Sequence, residues 1–131
     1  MIEPASFEAE VRGLHAFFGR WYSGAAAPSE FSRLDVLAET FLMIGPDGRT
    51  ANVVEVREMI RASYGLRPID FTIKNVSVRP DGPVGTYEEW QTASGVTTAR
   101  LSTAVMAPAP RQPNGLQWVH LHETWLPDAR P

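Results

Sequence analysis

The chain has 131 residues, 44% of them hydrophobic and 21% charged, a composition that fits one domain, 1–131, with its own hydrophobic core. A formal charge of −3, with no basic block and no acidic tail, argues against nucleic acid or an anionic membrane as a partner. The absence of cysteine excludes disulfides, thiolate nucleophiles and cysteine metal sites, and no stretch reaches the roughly 20 apolar residues of a membrane span.

The opening "MIEPASFEAEVRG" is acidic and carries no long apolar run, so it does not read as a signal peptide and a cytoplasmic location is expected. Phe7, Val11, Leu14, Phe18 and Trp21 form one apolar stripe and predict a helix over 7–22. Ser6 is the expected N-cap, Glu8 and Glu10 sit where the helix dipole favours acids, and Gly24 ends the helix. Ser29 is expected to cap a brief second helix, "EFSRLDVL". The apolar "TFLMI" (40–44) reads as a strand closed by the turn "GPDG" (45–48). Asn52 and Glu55 have the spacing of a capping box, opening a helix that carries Val53, Val56, Ile60 and Tyr64 and stops at Gly65.

From Ile69 the texture changes. "IDFTIKNVSVR", "VGTYEEWQTA", "VTTARLSTAVM" and "LQWVHLHETWL" are β-branched and aromatic runs, separated by "PDGP", "SG" and the longer "APAPRQPNG". They predict an antiparallel meander of four long strands. Helices first and strands last give an α+β domain, one curved sheet with helices on one face.

The tight "SG" turn pairs Ala93 with Val96, Trp90 with Ala99, Glu89 with Arg100 and Tyr87 with Ser102. Pairing Arg79 with Val84 across "PDGP" sets Lys74 beside Glu89, and Arg100 is taken to oppose His122 across the long last loop. This register predicts a polar face with Lys74, Glu89, Gln91, Arg100, His120 and His122, turned to water or to a dimer partner. The other face, with Phe71, Ile73, Trp90, Leu101, Leu121 and Trp125, would receive the helices. Asn75, Glu88 and Glu123 intrude into it, and a buried carboxylate needs a partner or a raised pKa.

His120 and His122 project to the same side of a strand and resemble a chelating pair, but a closed site needs further ligands. Glu123 points the other way and His15 lies on the first helix, so no metal site and no cofactor are expected. Asn75, Glu88 and Glu123 are the candidate polar anchors of a ligand pocket; Trp21, Tyr22, Tyr64, Trp90 and Trp125 are its candidate walls. The structural alternative has the carboxylates satisfied across a filled core, with the aromatics simply packing it. "GPDGR" lacks the lysine of a phosphate loop and reads as a turn.

The order of these elements, together with "FLMIGPDGR" (41–49), "YEEWQ" (87–91) and "WVHLHETWLP" (118–127), resembles the nuclear transport factor 2-like superfamily, in particular its SnoaL-like members. The resemblance covers nearly the whole chain. It implies a cone-shaped, antiparallel-rich sheet wrapped around the N-terminal helices, a pocket at the open end, and homodimers formed through the outer sheet face. Family isomerases place a catalytic aspartate before a proline at the end of the first strand. Gly45 stands there, before Pro46, and glycine abstracts no proton. The tyrosine donor expected on the first helix falls at Trp21 or Tyr22. No catalytic residue is assigned. The leading expectation is a protein binding a small apolar molecule between the helices and the inner sheet face. A second is a lyase, cyclase or hydrolase using Glu88 or Glu123 as acid or base, and a third is a structural dimerisation module with a filled interior.

Overall fold

A computed structural model describes residues 2–131. Helix α1 spans Pro4–Ser23. Pro4 starts it, because proline has a φ already suited to the first turn and no N–H to leave unpaired. Ser6 therefore lies inside the first turn, and Glu3 is the flanking residue, which corrects the expected cap. Gly24 ends the helix in the left-handed region (φ 82°), and its N–H donates to the Trp21 carbonyl. The expected second helix is a 3₁₀ segment, Pro28–Val36, held at its start by the Glu30 carboxylate on the Ala27 N–H at 2.7 Å.

Strand β1 (Leu37–Ile44) turns through "GPDG" into a short strand, β2 (Thr50–Asn52), that was not foreseen. Helix α2 (Val53–Ala62) opens on the expected capping box: Asn52 Oδ1 accepts from the Glu55 N–H at 2.9 Å, and Glu55 Oε1 accepts from the Asn52 N–H at 3.0 Å. It stops at Ala62, short of Gly65. Strands β3 (Asp70–Val78), β4 (Val84–Ala93), β5 (Val96–Pro108) and β6 (Leu116–Trp125) complete a six-stranded sheet of order β2-β1-β6-β5-β4-β3. All neighbours are antiparallel except β1 and β6, which run parallel. Among the described residues no helix is long and apolar enough to cross a membrane.

The β4–β5 register is the one predicted, from Ala93 opposite Val96 to Tyr87 opposite Ser102. Its facing is inverted. Glu89, Gln91 and Arg100 look inward towards α1, whereas Glu88, Trp90 and Leu101 look outward. Two odd shifts flank this pair. On β3, Asn75 adopts φ 54° at a bulge, so Lys74 opposes Glu88 and not Glu89. On β6, Arg100 opposes Trp125 and not His122, a slip of three. Each shift restores the expected parity of the outer strands, so Glu123 and Leu121 face inward while His120 and His122 face outward.

The core is one cluster running from Phe7 and Val11 on α1 to Tyr87, Met106 and Trp118 on the sheet. Gly85 on β4 lets α1 approach, since the Phe7 ring fills the space a Cβ would need. Glu10 does not act through the helix dipole from a solvated first turn. It is fully buried and accepts from Arg33 at 2.9 Å, Asn114 at 3.1 Å and the Trp118 indole at 2.8 Å, tying α1 to the 3₁₀ segment and to β6 with its preceding loop.

Candidate functional site

Between α1, α2, β1 and the inner sheet face lies a cavity of about 460 Å³. Leu14, Phe18, Phe41, Val56, Ile60 and Leu121 make much of its wall apolar, and Met59 and Leu66 are exposed members of that lining. One region is polar. His15 comes from α1, Glu89 and Gln91 from β4, Arg100 from β5 and Glu123 from β6.

His15 is set by its own helix. Its Nδ1 lies 2.7 Å from the Val11 carbonyl oxygen, which only accepts, so Nδ1 carries a hydrogen. Its Nε2 lies 2.7 Å from Glu89 Oε1. Burial lowers the His15 pKa, but the Glu89 charge, the hydrogen bond to it and the Val11 carbonyl outweigh that and raise it. Burial likewise raises the Glu89 carboxyl, but His15, Arg100 and the Gln91 amide, which donates to Oε2, bring it below the usual carboxylate value. Both shifts favour an imidazolium–carboxylate pair.

Arg100 joins this pair to Glu123. Its Nη1 donates to Glu123 Oε1 at 3.2 Å, and its Nε stands 3.8 Å from Glu89 Oε2 without a hydrogen bond. Ser102 donates to Glu123 Oε2 at 3.3 Å. These are long bonds for a carboxylate that is 3% exposed. Burial, and next the Glu89 charge, push the Glu123 pKa up to about 7 despite Arg100. Tyr22 and Tyr87 adjoin the cluster, and burial raises both phenols, Tyr22 to about 12. Ser102 sits opposite Tyr87 and eases its ionisation slightly, but no bond of normal geometry joins the two hydroxyls.

Of the residues singled out from the sequence, Tyr22 and Glu123 line the cavity. Trp21 is core: its indole donates to the Ile60 carbonyl at 2.7 Å, and it packs on Tyr64 with ring centroids 4.6 Å apart. Tyr64 spends its hydroxyl on the Ala26 carbonyl at 2.7 Å. Asn75, Glu88 and Trp90 form their own group on the outer face: Asn75 and the Trp90 indole both donate to Glu88 and lower its pKa. The Trp90 ring carries the Lys74 ammonium 4.2 Å from its centre. Trp125 faces inward beside the site and stacks under Arg100 at 4.7 Å. The expected inward placement of Asn75, Glu88 and Trp90 is thus corrected. His120 and His122 have no third His, Cys, Asp or Glu grouped with them among the described residues.

The sequence reading missed His15, Glu89, Gln91 and Arg100. A signal existed for His15, which sits four residues after Val11 and three before Phe18, inside the apolar stripe of α1.

No protein-family model matches the chain, and no curated protein does. Solved structures do. An NTF-2 like protein of unknown function from Pseudomonas aeruginosa is 26% identical, with a TM-score of 0.83, over 92% of this chain and 98% of that one. Nuclear transport factor 2 from Cryptosporidium parvum is 7% identical, with a TM-score of 0.66, over 96% and 98%. ActVI-ORFA from Streptomyces coelicolor is 12% identical, with a TM-score of 0.59, over 97% and 99%. With its three helical segments on a curved six-stranded mixed sheet, the chain is a member of the nuclear transport factor 2-like structural superfamily.

Proposed function

We propose that the chain binds a small, mostly apolar molecule in the cavity between its helices and the inner sheet face. One observation carries this reading: an interior of about 460 Å³ is left open, lined chiefly by apolar side chains, with charged and amide groups gathered in one region. That size and lining match small-molecule sites, which run to roughly 300–1,000 Å³ and use few polar groups for orientation. A purely structural module has no need of such a space. His15, Tyr22, Glu89, Gln91, Arg100 and Glu123 are the proposed polar contacts.

The test uses N-phenyl-1-naphthylamine, an uncharged apolar fluorophore. Saturable binding near one per chain is expected, and Leu121→Trp, which fills the cavity from β6, abolishes it while leaving the fold intact. Absence of binding, or binding unchanged by Leu121→Trp, defeats the proposal.

A second reading, acid–base catalysis on a hydrophobic metabolite, is favoured by the position of Glu123, whose pKa of about 7 suits both giving and taking a proton near neutrality. Glu88 is unsuited, being tied to Asn75 and Trp90 on the far side of the sheet. Turnover of any substrate found must fall at least a hundredfold in a folded Glu123→Gln protein.

The outer sheet face is the proposed homodimer surface. Leu42 and Leu101 are exposed there, with His120 and His122 on the same side.

A further inference from the structure

The polar region of the cavity holds two donors that make no hydrogen bond of normal geometry within the protein. The Tyr87 hydroxyl belongs to a side chain with no exposed surface and has no hydrogen-bond partner; Arg100 Nε is also buried and unbonded. Buried donors are nearly always paired, so an unpaired couple in the wall of an open space is a place where a small rearrangement would admit an acceptor. Both residues line the cavity. So does Arg67, which is exposed and makes no ion pair among the described residues. Every arginine touching this space therefore keeps donor capacity that the protein does not use.

We propose that the ligand is an amphipathic organic acid, its apolar body filling the cavity and its carboxylate accepting from Tyr87 and Arg100, with one proton taken up at Glu123 as it enters. This rests on the ligand-binding reading above and specifies the chemistry of that ligand.

The proton follows from charge. Above about pH 7, with His15 and Arg100 positive and Glu89 and Glu123 negative, the buried cluster is neutral. A ligand carboxylate adds one uncompensated negative charge in a medium that screens it poorly. Protonating one carboxyl restores balance. Glu89 is held ionised by His15 and Gln91, whereas Glu123 has only two long bonds. The groups facing Glu123 are His15 and Tyr22 from α1, Tyr87 and Glu89 from β4, and Arg100 and Ser102 from β5. Burial and the Glu89 charge already hold Glu123 at about 7, so the proton is taken up readily near neutrality. The acid loses no covalent bond in this step: one solvent proton moves onto Glu123, and the carboxylate stays ionised.

Decanoate and 1-decanol test this by displacing N-phenyl-1-naphthylamine from the full chain between pH 6.5 and 8.5. Decanoate is ionised throughout and should bind more tightly than decanol at pH 6.5. Its affinity should then fall about tenfold per pH unit above neutrality, while that of decanol changes less than about twofold. Glu123→Gln, which mimics the protonated carboxyl, should flatten the decanoate profile. Decanol binding as well as decanoate, or a pH-independent decanoate affinity in the unaltered chain, overturns the inference and leaves the cavity reading standing. If neither ligand displaces the fluorophore, the inference is overturned as well. If the fluorophore itself does not bind, the cavity reading falls with it.

Discussion

His15 and Glu89 lie 74 residues apart in the chain, one on a helix and the other on a strand, and their buried side chains meet at 2.7 Å. The contact ties α1 to the sheet, and the Glu89 charge adds to burial in raising the pKa of Glu123 beside it.

Stability should peak in mildly acidic solution. Glu123 has a raised folded pKa, about 7 against 4.5, so the folded chain holds a proton the unfolded chain has lost, and stability falls as pH rises across that interval. His15 acts in the same direction: its contribution is full below 6.5 and is lost as pH climbs through its raised folded value. Glu89 acts oppositely, contributing fully above 4.5 and losing that contribution as pH falls through its lowered folded value. These opposing slopes meet near pH 4.5, where the optimum lies. Glu123→Gln should remove on the order of 1–3 kcal/mol of the decline between pH 5 and 8, read by urea unfolding at each pH. Parallel profiles for the two proteins contradict this assignment.

Glu10→Ala should cost about 3–5 kcal/mol, because it strands three donors, the Arg33 guanidinium among them, around an empty acceptor site. Glu10→Gln keeps an acceptor oxygen and should cost less. Denaturant midpoints rank the three proteins, and equal losses for both variants would mean the charge alone matters.

Gly85→Ala should destabilise by roughly 1–3 kcal/mol, since the new methyl group overlaps the Phe7 ring where neither backbone nor ring has room to yield. Pairing it with Phe7→Leu should recover part of the loss, and a double-mutant cycle measures that coupling. Strict additivity of the two changes would place the strain elsewhere.

Light scattering at tens of micromolar should give about twice the 14.5 kDa chain mass. Leu101→Glu, on the outer face of β5, should yield the monomer with its melting temperature little changed at low concentration. A monomeric unaltered chain ends the dimer proposal.

Much of the architecture is legible in local sequence chemistry. The Asn52–Glu55 box, the stop at Gly24 and the Ser94–Gly95 turn each work through neighbouring backbone groups, so a short window contains all the physics. The facing of β4 and β5 is different. Hydrophobicity points Trp90 and Leu101 inward, and that rule fails because the inner surface borders a cavity with its own charged cluster. The Asn75 bulge and the slip after the long 109–115 loop are set by packing across the sheet, beyond any local signal. Both slips are odd, and this is why Glu123 emerges on the inner side although the strands between were inverted.

The Val11 carbonyl has a further effect on His15. With Nδ1 committed to its own helix, the imidazole has a single port, Nε2, and that port opens only onto Glu89. Any proton reaching the ring from the cavity must travel by way of that carboxylate. The ring therefore serves as a terminus for protons, where an imidazole free on both sides would be a relay.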